Sequence, residues 1–407
     1  MGTPAIKAHV LQAAVDALAK CGDQVSAAAE VGVPRSTMQS RLREAQRRGF
    51  KPSVGLEDPD NAAHMRLKVK RLEGELRQTK EKALDEQAIR AEVFKLADSV
   101  TDVEPPSWVV EPSGPQSSPG VPTLFCSDWH WAEVVKGAQI NGVNNYNVAI
   151  AKERVKALVT SAIDLLKIVD PQMRYPGIVL PLGGDMVSGN IHDELTATNQ
   201  FNTMPTVLDL FGVLVWVVEE LLKHFPRIFV PCVGGNHGRD THKIWNKDRH
   251  ATSFDWLIYN FLAKRFEHDK RVTFLIPDGP DAYYRIYGHR YLLTHGDQFR
   301  GGDGMIGALG PIIRGDHRKR SRNAQVDMEY DTMLLGHWHQ YIHLTRLIVN
   351  GSLKGYDEYA YNNNFGFEPP QQALWLTHPK HGITFRMPVQ VDRKRAAPKT
   401  EWVSVAA

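Results

Sequence analysis

The chain has 407 residues, 42% of them hydrophobic, and a formal net charge of +3. That length predicts one large domain with a smaller appendage and enough apolar material for a sizeable core. The small net charge does not by itself imply a polyanion partner, and the three widely spaced cysteines, Cys21, Cys126 and Cys232, argue against a disulfide framework or a structural zinc cluster. A reducing, cytoplasmic setting is therefore expected. No stretch is apolar for long enough to span a bilayer. Val207–Leu222 comes nearest, but Asp209, Glu219 and Glu220 interrupt it, so it is expected to be a buried amphipathic helix, with no membrane partner. The N-terminus lacks the basic-then-apolar layout of a secretion signal.

Residues 1–52 read as a compact helical unit. Within it, Val25–Ala45 combines an Ala-rich helix that can pack closely, Gly32 for a turn, Val33 as a core plug, and Met38, Leu42 and Ala45 on one face of a following helix. This stretch resembles the helix-turn-helix of Fis-like and Psq-like DNA-binding domains. The resemblance implies DNA contacts from Arg35, Ser36, Gln39, Arg41 and Arg43, side chains able to reach phosphates and base edges. A small assembly bundle with a solvated basic face is the alternative.

Residues 60–98 are highly charged, and Met65, Val69, Leu72 and Leu76 step by four, three and four. That spacing predicts either a short coiled coil that would join copies of the chain into a homo-oligomer, or a single charged spacer helix. Residues 99–121 are rich in proline, which cannot donate a backbone hydrogen bond, and read as a linker.

From residue 122 to 390 extended apolar runs alternate with helical patterns, and 391–407 reads as a tail. Strands are expected at Thr123–Ser127, Ile178–Leu182 and Arg227–Val233, with helices at Val148–Ile168 and Val207–His224. Beyond Arg271 the pattern becomes mostly β, with strands expected at Val272–Ile276, Tyr283–Thr294, Met333–Leu335, Leu347–Val349 and Ala373–Leu376. The alternation predicts an α/β sandwich with functional loops at strand ends.

Five short segments each follow one of these apolar runs: Ser127–His130, Gly183–Asp185, Gly234–His237, Thr294–Gly296 and Gly336–His339. Together they offer carboxylate, amide and imidazole donors without thiolate. Such a set suits manganese, iron, zinc or nickel better than calcium or a structural zinc finger. The order Asp-x-His, Gly-Asp, Gly-Asn-His, His, Gly-His-x-His is similar to that of the calcineurin-like metallophosphoesterase superfamily, over roughly residues 122–355. That superfamily includes double-strand-break repair nucleases, cyclic-nucleotide phosphodiesterases and protein phosphatases. The resemblance implies a four-layer α/β/β/α sandwich holding two divalent metals, with Mn2+ expected and iron, zinc or nickel as alternatives. It implies that Asp128, His130 and His339 hold one metal and that Asn236, His295 and His337 hold the other, with Asp185 bridging. It also implies that His237 lies outside the metal shell and assists the leaving group as a general acid.

Two departures stand out. The family commonly follows the equivalent of His237 with an acidic residue, where this chain has Gly238; Asp240 and Asp193 are the candidate substitutes. Protein phosphatases continue the Gly-Asp segment with Asp and Arg where this chain has Ser188 and Gly189, which argues against a phosphoprotein substrate. Arg239, Lys243, Arg300 and Arg314 are candidate substrate contacts, with Trp245 and Phe299 interleaved as base-stacking candidates. The basic run Arg318–Arg322 is either a nucleic-acid track or a charged helix with an aromatic beneath it. The expected activity is metal-dependent hydrolysis of nucleic-acid phosphodiesters, DNA in particular; the rival readings are a nucleotide or small-molecule phosphoesterase and a DNA-binding regulatory or assembly factor.

Overall fold

The computed structural model describes residues 6–53, 71, 104–112, 118–301 and 307–392. The expected 60–98 helix, apart from Arg71, and nearly all of the 391–407 tail lie outside the described residues. The chain divides into two compact units, Met1–Gln87 and Ala88–Ala407.

The first unit contains α1 (Ala8–Cys21), α2 (Gln24–Glu30) and α3 (Arg35–Arg47). Gly22 ends α1 in the left-handed conformation, and Asp23 then caps α2 by accepting from the N–H groups of Val25 and Ser26 at 2.8 and 3.0 Å. Ala14, Ala17, Ala27, Ala28 and Met38 form the core, with Leu18, Val31, Val33 and Leu42 packed against it. Small alanine side chains let the three helix axes approach closely, and Val33 fills the corner between α2 and α3. The outer side of α3 exposes Arg35, Ser36, Gln39 and Arg43, while Arg41 is half-buried.

The second unit is built on two sheets. The strands are β1 (Val121–Leu124), β2 (Ile178–Val179), β3 (Ile228–Pro231), β4 (Val272–Leu275), β5 (Asp281–Ile286), β6 (His289–Thr294), β7 (Thr332–Leu335), β8 (Ile342–His343), β9 (Leu347–Val349), β10 (Gln371–His378) and β11 (Gly382–Gln390). The first sheet has the order β11-β10-β1-β2-β3-β4 and the second β5-β6-β7-β9-β8. β1 to β4 run parallel to one another, as do β6, β7 and β9, so the loops at their carboxyl ends collect at common edges. The helices of this unit are α4 (Ser107–Val110), α5 (Val148–Val169), α6 (Asp193–Thr198), α7 (Thr203–Leu221), α8 (Phe254–Arg265), α9 (Leu309–Ala324) and α10 (Glu358–Asn362).

Side-chain alternation assembles four layers from these pieces. On β6, Tyr291 and Leu293 join a core with Phe125, Val179, Phe229 and Trp375 of the first sheet, whereas Leu292 points the other way and packs with Ile312 of α9. On β7, Leu334 faces the first sheet, and Met333 and Leu335 face α9. The opposite face of the first sheet sends Leu124, Ile178, Ile228 and Val230 against α5, α7 and α8. The result is the expected α/β/β/α sandwich.

Three elements differ from the sequence reading. The apolar run Tyr283–Thr294 is a hairpin of β5 and β6, because Tyr287 (φ 54°) and Gly288 turn the chain. The 99–121 stretch, read as a linker, contains α4: Trp108 and Val109 are buried in the inter-sheet core, and the Val109 carbonyl accepts from Tyr287 N at 2.7 Å. Helix α8 has no amphipathic period because Asp255, Trp256, Ile258, Tyr259, Asn260 and Leu262 bury it on several sides. Among the described residues, no helix is long and apolar enough to cross a membrane.

Trp108 packs so tightly over Gly177 that a Cβ there would collide with its ring. Trp108→Ala is therefore expected to destabilise the second unit by about 3–5 kcal/mol, the usual cost of emptying a buried Trp site. Urea denaturation followed by tryptophan fluorescence checks this, and an unchanged midpoint would return 107–110 to the role of a linker.

Candidate metal centre

The five segments follow β1, β2, β3, β6 and β7, and the backbone ties them together past the strand ends. Single bridges Cys126↔Leu182 and Leu182↔Cys232 continue the parallel pairing. Asp128 N donates to Gly184 O and His130 N to Asp185 O, both at 3.0 Å. The two sheets are joined across the centre by His337 N, which donates to Asp128 Oδ1 at 2.8 Å.

Five residues in these segments hold left-handed backbone: Asp128 (φ 55°), His130 (46°), Asp185 (49°), His337 (69°) and His339 (53°). A non-glycine residue there costs on the order of 1–3 kcal/mol, and such costs concentrate at functional sites. The conformation lets neighbouring side chains turn toward a common point instead of alternating across a sheet.

The side chains converge into three sets whose potential ligand atoms lie within 4.8 Å of one another: Asp128, His130 and His339; Asp185, His295 and His337; and His130, Asp185 and His237 between them. Asp128, His130, Asp185 and His295 are at most 1% exposed. Asn236 joins the second set through Oδ1, 3.2 Å from His295 Nε2. All seven residues expected as ligands thus meet in one place.

Their chemistry fits divalent cations. His295 Nδ1 faces the Gly183 carbonyl at 2.8 Å, an acceptor only, so Nδ1 carries the proton. In the neutral ring the Nε2 lone pair then faces Asp185 Oδ2 at 3.0 Å and Asn236 Oδ1 at 3.2 Å, two more acceptors. A cation or a second ring proton resolves that opposition. His130 Nε2 and His339 Nε2 lie 3.0 Å apart, close enough to share a ring proton or to flank a cation. Burial pushes His130 and His337 down to about 4, so both are neutral lone-pair donors at physiological pH. Burial opposes charge on Asp185, but the His295 and His237 imidazoles outweigh it and hold the carboxyl well below its ordinary range.

His237 is oriented without a carboxylate. Its Nδ1 lies 3.0 Å from the Ser188 carbonyl, which leaves Nε2 for proton transfer, and its backbone N–H donates to Asp185 Oδ1 at 2.6 Å. Both departures from the family pattern acquire reasons. Gly189 holds φ 69° against the His237 carbonyl, where a Cβ would collide. A Cβ on Gly238 would come within 2.9 Å of the Asp255 carboxyl.

Asp255, fully buried on α8, escaped the sequence reading. It accepts from the N–H groups of Asp185 at 3.0 Å, Gly235 at 2.9 Å and Met186 at 3.2 Å, binding two segments together. Burial and the Asp185 charge raise its carboxyl to about 6. Ser127, Asn350, Ser352 and Gln372 form a further supporting network: Ser127 Oγ donates to Asp128 Oδ2 at 2.5 Å and accepts from Asn350 Nδ2 at 3.0 Å. Ser352 Oγ donates to the Asp128 carbonyl, and Gln372 Oε1 accepts from Ser127 N. The sequence signal for Asp255 was a lone acid in an apolar helix; the others gave none.

The expected substrate contacts divide. Lys243, Arg300 and Arg314 are exposed, and Trp245 is 52% exposed. Arg239 instead folds its own loop, donating to the carbonyls of Asn236, Thr241 and His242. In α9, Lys319 and Arg322 pair with Asp281, and Arg320 pairs with Asp316 and caps the Tyr330 carbonyl. Phe299 packs beneath this helix with the Lys319 ammonium 5.7 Å from its ring centre. Residues 318–322 are therefore a charged helix with most of its cations already satisfied. Sequence could not show that Asp281, some forty residues earlier, lies beside them.

No protein-family model matches the chain, and no curated protein sequence matches it. Among solved structures, the chain is similar to a Vps29 single mutant from Entamoeba histolytica, at 11% identity and TM-score 0.27 over 66% of this chain and 99% of the other. It is similar also to a predicted phosphoesterase from Streptococcus pneumoniae, at 9% identity and TM-score 0.24 over 67% and 99% of the two chains. A putative 5'-nucleotidase from Staphylococcus aureus aligns at 11% identity and TM-score 0.29 over 69% and 56%. At these scores the likenesses carry no argument about the site.

Charge from Asp185 overcomes the burial of His295 and raises its imidazole to about 10. At pH 8 the metal-free ring is therefore protonated, and a cation taken by Nε2 must displace that proton. Titration with Mn2+ at pH 8 is expected to release about one proton per chain from this ring. Calorimetry in two buffers of different ionisation enthalpy measures it, and zero release contradicts the assignment.

Proposed function

We propose that this protein is a calcineurin-like metallophosphoesterase that hydrolyses phosphodiester bonds of nucleic acid, DNA in particular. The observation that carries the reading is the meeting of imidazole lone pairs and carboxylates at His295, Asp185, His130 and His339, in the order of segments characteristic of that superfamily. Asp128, His130 and His339 would hold one divalent cation, and Asn236, His295 and His337 the other, with Asp185 between them. Mn2+ is the preferred ion, and iron, zinc and nickel suit the same donors. Bound divalent cations polarise phosphoryl oxygens and make water acidic at neutral pH.

The remaining chemistry belongs to the chain. Two carboxylates against two divalent charges leave the site positive and attractive to a phosphodiester, and the neutral Asn236 donates without reducing that charge. His237, fixed through Nδ1 by Ser188, presents Nε2 for protonation of the departing sugar oxygen. Burial lowers the affinity of this ring for its second proton, and an anionic phosphate favours the imidazolium form. The reading of nucleic acid as substrate is supported by the exposed Arg35, Ser36, Gln39 and Arg43 on α3, a face suited to phosphates and base edges. The buried free thiols of Cys126 and Cys232 agree with a cytoplasmic setting. One observation favours a smaller nucleotide substrate as a second reading: Arg239, Lys319, Arg320 and Arg322 are already engaged within the chain.

Purified protein with Mn2+ is expected to cleave at least one of linear, circular or single-stranded DNA, and Asp185→Asn to abolish the cleavage. His237→Ala is expected to slow it by about a hundredfold to ten thousandfold, the range for loss of a general acid. Hydrolysis of bis-p-nitrophenyl phosphate or mononucleotides with every DNA and RNA left intact would replace the nuclease reading by the second one.

The α3 face has its own test. Charge reversal at Arg35 and Arg43 in the full chain is expected to weaken duplex binding and reduce its salt dependence by about two counterions. Mobility-shift assays at several salt concentrations measure this, and unchanged affinity would assign the first unit to assembly.

A further inference from the structure

Three residues beyond His130, the chain buries an acid that neither the motif order nor the two-cation reading uses. Glu133 is 7% exposed, and it pairs with Lys354, 3% exposed, which pairs in turn with Asp357, 6% exposed. Lys354 Nζ lies 2.8 Å from Glu133 Oε1 and 2.5 Å from Asp357 Oδ2. The second oxygen of Glu133 is 3.2 Å from His130 Nδ1 and 3.5 Å from Ser188 Oγ. No aligned hydrogen bond reaches that buried Nδ1, so this carboxylate is the partner within its reach.

We propose that Glu133 is a positioning residue for His130: its carboxylate fixes the ring from the Nδ1 side, and Lys354 holds the carboxylate in place. The proposal rests on the two-cation reading and deepens it. Two carboxylates and one ammonium are a costly way to fill buried volume, since apolar side chains of similar size serve packing at least as well. The triad carries a net charge of −1, and Glu133 directs part of it at one imidazole nitrogen. A carboxylate there favours the tautomer with the proton on Nδ1, turning the Nε2 lone pair toward Asp128 and His339 and making it a stronger donor. Lys354, 2.8 Å from Oε1, keeps Glu133 ionised and leaves Oε2 to face His130.

The test is a calorimetric Mn2+ titration of the full chain, with thermal melting in EDTA as a fold control. The wild type is expected to take up two ions per chain. Glu133→Gln is expected to weaken one of the two sites by about 10–100-fold, as losses of such outer partners do, and to leave the other at wild-type affinity. Glu133→Asp keeps the charge but withdraws it from His130, and is expected to weaken the same site should the Gln variant fold poorly. Asp357→Asn disturbs the triad without touching His130 and is expected to retain both sites. Unchanged affinity in a folded Glu133 variant overturns the proposal, as does an equal loss in Asp357→Asn, which would make the triad a packing device. A wild type that binds no Mn2+ overturns the two-cation reading itself, and this role with it.

Discussion

Donor atoms gathered around one point, with a proton or a cation required between them, are the constraint on which the rest of this structure depends. His295 Nε2 meets Asp185 Oδ2 and Asn236 Oδ1, and His130 Nε2 meets His339 Nε2, all within 3.0–3.2 Å. Isolated in water such groups would turn apart and be hydrated. Here the two sheets hold them in place: β1, β2 and β3 from one side, β6 and β7 from the other, with the Tyr291, Leu293, Leu334 and Trp375 core between the sheets. The left-handed residues Asp128, His130, Asp185, His337 and His339 add backbone strain at the same point. A fold that concentrates buried donor atoms and backbone strain in one place, and surrounds them with a continuous core, is organised around binding positive charge there.

That constraint explains why the supporting residues are polar where a core is ordinarily apolar. Asp255 converts three backbone N–H groups into a clamp across two segments, and Gly238 is small because Asp255 stands beside it. Gly189 is small because the His237 carbonyl stands beside it, and the Ser188 carbonyl faces the ring nitrogen at the place where the resembled motif pattern would put an acidic neighbour. The two departures are therefore one substitution of parts. A backbone carbonyl orients the imidazole as a carboxylate would, but it adds no full negative charge to favour the imidazolium. On the proposed reading, His237 would depend more on an anionic substrate for that charge.

The sequence was legible where function and local structure coincide. Asp128, Asp185 and the paired histidines of 337–339 each stand directly after a strand, so residue type, order and strand periodicity all report the same site. It was less legible where a partner lies far along the chain. For Lys319 and Arg322 the sequence left a nucleic-acid track and a charged helix both open, because Asp281 is distant in sequence and adjacent only across β5 and α9. Trp108 read as part of a linker because proline content is a local signal and burial against Gly177 is not. The turn at Tyr287 was missed because a tyrosine with positive φ is uncommon, and its neighbours supply the same apolar pattern on both sides of it. Glu133 and Lys354, 221 positions apart, show no pattern that either residue's neighbours reveal.

The buried donor cluster and the exposed cations are set apart in this chain. The donors and their supports are buried and mutually locked, so substitution there changes whether the site exists. The exposed Lys243, Trp245 and Arg300 stand on loops, the exposed Arg314 stands on α9, and the α3 face belongs to a separate compact unit. Loops of this kind can vary without disturbing the strands that carry Asp128, Asp185 and His337. The same division accounts for the engaged cations of α9. Lys319, Arg320 and Arg322 brace the helix against β5 and the residues preceding β7, so any grip on a polyanion falls to residues outside that brace. On the proposed reading, substrate choice would rest with the exposed loops and the α3 face, and the reaction with the strand ends.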